Sequence, residues 1–220
     1  MASTLATSGY ISISGQINAM AVIYIPTCVN ALKKRRKKYG SKDKRGQICN
    51  RVSIDQHPDI VDKKSRIGDW EIDTVIGQNH KGALVTIVDR HSKLVLIKRG
   101  ETKHADGVTA ATITLLKPYS DKVFTITADN GKEFAGHETI SKELDAQVYF
   151  AHPYSSWERG LNENTNGLIR QYFPKSSSFE TITDEQVEAV MHPPQPPPSK
   201  KMCYQTPHAV FFAQVERKAA

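Results

Sequence analysis

From Gly68 onward, hydrophobic positions fall into short runs with the texture of β-strands. Trp70 to Ile76 and Leu84 to Val88 are rich in β-branched residues, and Leu94 to Ile97 forms a third run, with Arg90-His91-Ser92 as a tight connection. Between residues 102 and 117 the apolar positions Val108, Ala111, Ile113, Leu115 and Leu116 predict a helix, and Pro118 stops it. Val123 to Thr127 reads as a fourth strand, leading to Asp129. A short helix at about 136–144 follows, and then a fifth strand, Gln147 to Phe150. Ser155 with Glu158 three residues later has the form of a capping box, which predicts a helix running to about Phe173, where Pro174 ends it. A last short helix is expected at 184–191. This order predicts an α/β layer fold, a mixed five-stranded sheet flanked by helices, and not an alternating parallel barrel.

The ends differ from this middle. Residues 1–31 show no long periodicity, and 32–66 are basic, broken by Gly40, Gly46 and Pro58. Lys33, Lys34, Arg35, Arg36, Lys37 and Lys38 form an uninterrupted run. We therefore expect an extended basic arm over 1–66, a folded core over 67–190 and a separate tail over 191–220. The tail opens on Pro193-Pro194-Gln195-Pro196-Pro197-Pro198, which cannot be helical because each proline removes a donor and clashes with the preceding turn. Polyproline II or an unstructured segment is expected there.

Net charge changes the picture further. An excess of +7 over 220 residues, partly concentrated in one run, favours a polyanionic partner, either nucleic acid or an anionic membrane surface. Three scattered cysteines without a Cys-x-x-Cys pair argue against zinc sites and a disulfide framework, and fit a reducing, cytoplasmic setting. The apolar patch Ala19 to Ile25 is too short to span a membrane.

Three acids carry the candidate chemistry: Asp73 in Trp70-Glu71-Ile72-Asp73, Asp129 in Asp129-Asn130-Gly131, and Glu163 after 33 intervening residues. Two acids leaving strands and one on a later helix can converge on one point and hold divalent ions, an arrangement suited to phosphodiester cleavage and joining. Taken singly, each has a plainer explanation. Asp129 is a good turn residue, Glu163 a good exposed helix acid, and Asp69 and Glu71 compete with Asp73 on the same strand face. Glu163, Asn166 and Arg170 share one helix face. Asn130 and Glu133 are candidates to assist the site or serve the turn. Trp157 reads as a packing residue at the helix entrance before a base-stacking one, and His91, His137 and His152 read as surface histidines.

Four stretches give these acids a context: Ile67-Gly-Asp-Trp-Glu-Ile-Asp73-Thr-Val-Ile-Gly77, Gly82-Ala-Leu-Val-Thr-Ile-Val-Asp-Arg90, Asp129-Asn-Gly-Lys-Glu-Phe-Ala-Gly-His137, and residues 154–174 around Trp157-Glu-Arg-Gly-Leu-Asn-Glu163. On these motifs the chain resembles DDE transposases and retroviral-type integrases, and more closely the IS-thirty family of bacterial insertion-sequence transposases. The resemblance implies an RNase H-like fold and Mg²⁺ (or Mn²⁺) held by Asp73, Asp129 and Glu163. It also implies cleavage at element ends with strand transfer into target DNA, a DNA-contacting role for Arg170, self-association, and work at the bacterial nucleoid. The basic run Lys33 to Lys38 is then expected to bind DNA backbone. A stand-alone nuclease and an inactive DNA-binding remnant are the alternatives.

The ends depart from the family pattern. Residues 1–31 do not look like the helix-turn-helix that family members carry before the core, so terminal-repeat recognition is expected to be absent. The proline tract replaces an Arg- and Asn-rich helix, whereas Tyr204-Gln205-Thr206-Pro207-His208-Ala209-Val210-Phe211 returns to the family pattern. A short, later-restored frameshift would account for this and is expected to leave the core poorly covered.

Overall fold

A computed structural model describes residues 48–100, 104–191 and 205–216. All of them belong to one compact unit, Lys44–Ala220. The basic run 33–38, the N-terminal 1–31 segment and the proline tract 193–198 lie outside the described residues.

Six strands form one mixed sheet. They are β1 (Val52–Ser53), β2 (Asp69–Ile76), β3 (Ala83–Asp89), β4 (Val95–Gly100), β5 (Thr125–Ala128) and β6 (Gln147–Phe150), in the spatial order β1-β6-β5-β2-β3-β4. β2 is the pivot. It runs antiparallel to β3 on one side, with Asp73 opposite Thr86, and parallel to β5 on the other, with Glu71 opposite Thr127. Five strands match those expected. The sixth, β1, is only two residues long and pairs parallel with β6 at Val52–Tyr149, too short to leave a periodic signal. Residues 52–62 are therefore part of the folded unit and not of an extended arm. They include α1 (Asp59–Asp62), whose Val61 is fully buried.

Side-chain alternation along β2 divides the core in two. Trp70 and Ile72 face a larger cluster closed by α2 (Ala105–Leu116), α3 (His137–Leu144) and α6 (Pro207–Glu216). Val75 on the opposite face joins Leu84, Ile169, Phe173, Phe179 and Val187 beneath α4 (Gly160–Tyr172) and α5 (Asp184–Met191). With helices on both faces, β3 is buried at every position, as its continuous apolar run requires.

The C-terminal helix is present and packed. Phe211 is fully buried, 5.6 Å from the Trp70 ring and 5.5 Å from Tyr119. Thr206 caps it, its Oγ1 accepting the Ala209 N–H. The expectation of a poorly covered core does not hold here, because the segment that follows the proline tract retains the apolar residues that fill this face.

Candidate active site

The α4 face of β2 carries Asp69, Glu71 and Asp73 at successive inward positions, and each acid meets a different partner. Asp69 is fully buried, takes two hydrogen bonds from Arg66 at 2.9 Å and one from Thr125 Oγ1 at 2.7 Å. Glu71, also fully buried, lies 3.0 Å from Arg90 Nε and accepts the backbone N–H of Asn162 at 3.1 Å. Asp73 is the one that keeps some solvent access, with 21% of its side chain exposed. The sequence left these three in competition; their surroundings separate them.

Asp73 is held in place from two sides. Its Oδ1 accepts the Thr74 N–H at 2.8 Å, and its Oδ2 accepts the Asn166 amide at 2.9 Å. Asn166 is itself fixed by Thr86 Oγ1, which stands opposite Asp73 across the sheet. Burial pushes the Asp73 carboxyl above its ordinary value; the Arg159 cation opposes that push and the nearby Asp129 charge reinforces it.

Asp129 follows the end of β5, the strand parallel to β2. Its Oδ1 accepts the Gly131 N–H at 2.7 Å, in an Asx-type turn. A Cβ at Gly131 would meet Asp129 Oδ1 at 2.8 Å and crowd the Glu133 carboxylate, so a larger residue there would have to displace both acids. Glu133 is buried and accepts a hydrogen bond from Thr74 Oγ1 at 3.2 Å, so it braces the strand position next to Asp73. Asn130 accepts from Arg51 and donates to the Ala151 carbonyl, which ties the turn to residues on both sides.

The guanidinium of Arg159 sits between the two acids. It lies 3.5 Å from Asp73 Oδ2 and 3.4 Å from Asp129 Oδ2, and it donates to the Ile72 carbonyl. Its side chain is only 12% exposed. Arg159 lies within the motif around Trp157, but nothing in its local sequence assigns it a role. The available signal was its position one helical turn before Glu163.

Glu163 stands apart. It is solvent-exposed on the first turn of α4, and among the described residues no three of His, Cys, Asp and Glu come together as a metal-ligand set. The structure thus brings Asp73, Asp129 and Asn166 together and leaves the third acid outside. A fit to a divalent cation can still be tested on the pair. Two carboxylates already share one positive group, and both offer the hard oxygen donors that Mg²⁺ and Mn²⁺ take. The pair fits such an ion, with Glu163 one residue beyond the anchored Asn162.

Several other residues named from the sequence meet partners of their own. Arg170 donates to the Ile76 carbonyl at 2.6 Å and lies over the Phe179 ring, because β2 ends beside the last turns of α4. Burial lowers its pKa from the usual arginine value. Ser155 does not cap the helix. Glu158 instead grips the backbone N–H and ring of His152, both at 2.8 Å, and a 3₁₀ turn, Ser156–Arg159, precedes α4. His152 also meets Asp55 at 3.0 Å, and these acids raise its pKa above the usual histidine value. His137 is buried against Phe150 and is not a surface histidine. Trp157 is 67% exposed, so it is not a packing residue.

No family model matches the chain. Individual proteins do. Residues of this chain are 48% identical over 179 positions to a transposase for insertion sequence element IS4351 of Bacteroides fragilis, covering 81% of this chain and 55% of that protein. A transposase for IS1086 of Cupriavidus metallidurans is 34% identical over 83% of this chain and 54% of its own length. The transposase InsI for IS30A of Escherichia coli is 34% identical over 80% of this chain and 46% of its own. The chain spans about half the length of the curated relatives it matches. Among solved structures, the catalytic core domain of BIV integrase superposes with a TM-score of 0.52 at 18% identity, covering 70% of this chain and all of that one. A simian T-cell lymphotropic virus intasome chain gives 0.54 at 17%, over 66% of this chain and 54% of its own. The fold is therefore the RNase H-like fold of integrase cores.

Proposed function

We propose that the chain, 34–48% identical over most of its length to insertion-sequence transposases including InsI of IS30A, is a DDE-type polynucleotidyl transferase. It cuts phosphodiesters at the ends of an insertion sequence and joins the freed 3′-hydroxyl to target DNA. One observation carries the reading: Asp73 on β2 and Asp129, just past the end of the adjacent parallel strand β5, converge on a single cation.

Asp73, Asp129 and Glu163 are the residues that would hold divalent ions, Mg²⁺ or Mn²⁺, which when bound neutralise charge developing on a phosphodiester and acidify an attacking water or hydroxyl. The chain's own groups prepare that site. Thr74 and Asn166 fix the Asp73 carboxylate, and the Gly131 N–H fixes Asp129 so that its Oδ2 faces the gap. Arg159 must withdraw from the gap as ions enter. Glu163 must turn inward on a helix whose first turn is already anchored to β2. Arg170 is assigned to holding α4 on β2, and a phosphate contact would require it to leave Ile76. The basic run Lys33 to Lys38 is assigned to DNA backbone. The partners are element-end and target DNA and further copies of the chain, in the cytoplasm at the nucleoid. Among the described residues, no helix is long and apolar enough to cross a membrane.

A second reading, a DNA-binding protein without catalysis, is favoured by the exposed position of Glu163. Incubation with element-end DNA and Mg²⁺ or Mn²⁺ separates the two. The transferase reading expects metal-dependent nicking and joined products, both abolished by Asp129→Asn and by Glu163→Gln. Binding without nicking refutes it, and nicking without joining would mark a stand-alone nuclease.

A further inference from the structure

The geometry points to Glu71 as a positioning residue: a strand carboxylate that caps the catalytic helix and thereby sets where Glu163 and Asn166 stand relative to Asp73. The inference rests on the transferase reading of the site.

Helix α4 begins without a cap of its own. Arg159 occupies the N-cap position and makes no side-chain capping bond, because a guanidinium has only donors and a cap must accept backbone N–H groups. Ser155 does not reach the helix either. A first turn leaves backbone N–H groups without partners, and a buried one needs an acceptor. Asn162, the third residue of α4, is fully buried, and its N–H is taken by Glu71 Oε2 from the neighbouring strand. The carboxylate also lies at the positive end of the helix dipole.

The spacing makes this a register device. Glu71 meets residue 162, and Asp73, two strand positions on, meets residue 166. Two strand residues advance about 6.7 Å and four helical residues about 6 Å, so the two contacts pin α4 along β2 without a mismatch. Glu163 lies between the pins, one residue from the first.

Arg90 pairs with Glu71 and holds it in place. Its side chain is 3% exposed; Nε lies 3.0 Å from Glu71 Oε1, close but off the line of a well-aligned hydrogen bond. Nη2 donates to the Glu158 carbonyl, in the turn that leads into α4, and Nη1 to the Val61 carbonyl. The pair thus grips both the helix and its approach. An ion pair buried this deeply is seldom retained for stability, since an apolar replacement of similar volume is often no less stable. A geometric duty gives it a reason to be there.

The test compares two variants that differ only in the acceptor. Glu71→Leu/Arg90→Met replaces the pair with apolar volume and leaves the Asn162 N–H without a partner. Glu71→Gln/Arg90→Met loses the same charges and arginine contacts but keeps a side-chain carbonyl for that N–H. Mn²⁺ affinity of the folded full chain is measured by titration calorimetry, with Asp129→Asn as the site control. The first variant is expected to bind Mn²⁺ at least fivefold more weakly than wild type. The second should recover to within about twofold, and in a Glu163→Gln background the two should converge. In cleavage the first variant should lower kcat and leave KM for DNA unchanged. Equal affinities for the two variants overturn the inference, as does failure of both to fold, which would make the pair a stability element alone. A wild type whose Mn²⁺ binding ignores Asp129→Asn overturns the transferase reading instead, and the inference with it.

Discussion

Replacing Arg159 with glutamine should weaken the ion-free protein and at the same time open its site to cations. The guanidinium lies 3.4 and 3.5 Å from two carboxylate oxygens. At an effective dielectric near 20, unit charges about 4 Å apart interact by roughly 4 kcal/mol. Desolvation returns much of that. Exposed pairs retain about 1 kcal/mol or less, and breaking a buried pair costs about 3–5 kcal/mol. Arg159 is 12% exposed and Asp129 37%, which places this triad between the two limits, at about 2 kcal/mol. For a unit of this size that corresponds to a fall in Tm of roughly 4 to 8 °C. An incoming divalent ion must displace the guanidinium, so the same figure sets the gain in ion affinity once it is gone, roughly tenfold to thirtyfold. Thermal melts with and without Mn²⁺, together with calorimetric titration, read both effects. Arg159→Gln should melt lower without ions and recover more than wild type with them. A folded variant that binds Mn²⁺ no more tightly than wild type would refute the competition argument, and with it the idea that the acids present one shared cation position.

Phe211→Ala empties a fully buried ring site against Trp70 and Tyr119 and should cost about 3–5 kcal/mol in denaturant melts; a loss below about 1 kcal/mol would mean that α6 is not part of the core. His57 is buried, and burial first, then the Arg90 charge, lower its pKa below 6.5 despite Asp62 nearby. A depressed pKa means that the unfolded chain binds the proton more readily, so the contribution is present above about pH 6.5 and lost as pH falls below it; His57→Gln should flatten that part of the stability profile, and an unchanged profile would reject the assignment. Trp157 is exposed while the other tryptophan, Trp70, is buried. Element-end DNA should quench Trp157 emission by base stacking, and Trp157→Ala should weaken binding about tenfold, with Trp157→Phe retaining most of it; full emission at saturating DNA would exclude the contact.

The strands, the helices and their order were legible because they follow from periodicities in neighbouring residues. Gln147–Phe150 and Asp184–Met191 emerge with the expected bounds. What escaped is what depends on partners far along the chain. β1 is two residues whose place is set by β6, nearly a hundred residues later. The Ser155–Glu158 pattern is a good local capping signal, yet Glu158 turns to His152 and the cap comes from Glu71, 91 residues upstream. A capping rule reads only the local chain, and a sheet next to the helix offers acceptors that such a rule never sees.

The same distinction explains the candidate site. Asp69, Glu71 and Asp73 are chemically alike and alternate identically, so no property of the strand alone ranks them. Their roles are set by the cation each meets: Arg66 for Asp69, Arg90 for Glu71, and Arg159, shared with Asp129, for Asp73. The first two arginines stay near their acids through local backbone, Arg66 three residues from Asp69 and Arg90 at the end of the paired strand β3. Arg159 comes from the segment that leads into the helix bearing Glu163, and it is the one cation of the three shared by acids from two different strands. A pair held that way is expected to exchange its cation if the approach to α4 shifts, whereas the other two are tied to their own strand ends. Under the proposed function, the position at which a divalent ion would compete is also the position linked to the third acid, and the loss of Arg159 from the gap and the arrival of Glu163 are expected to be one coupled event.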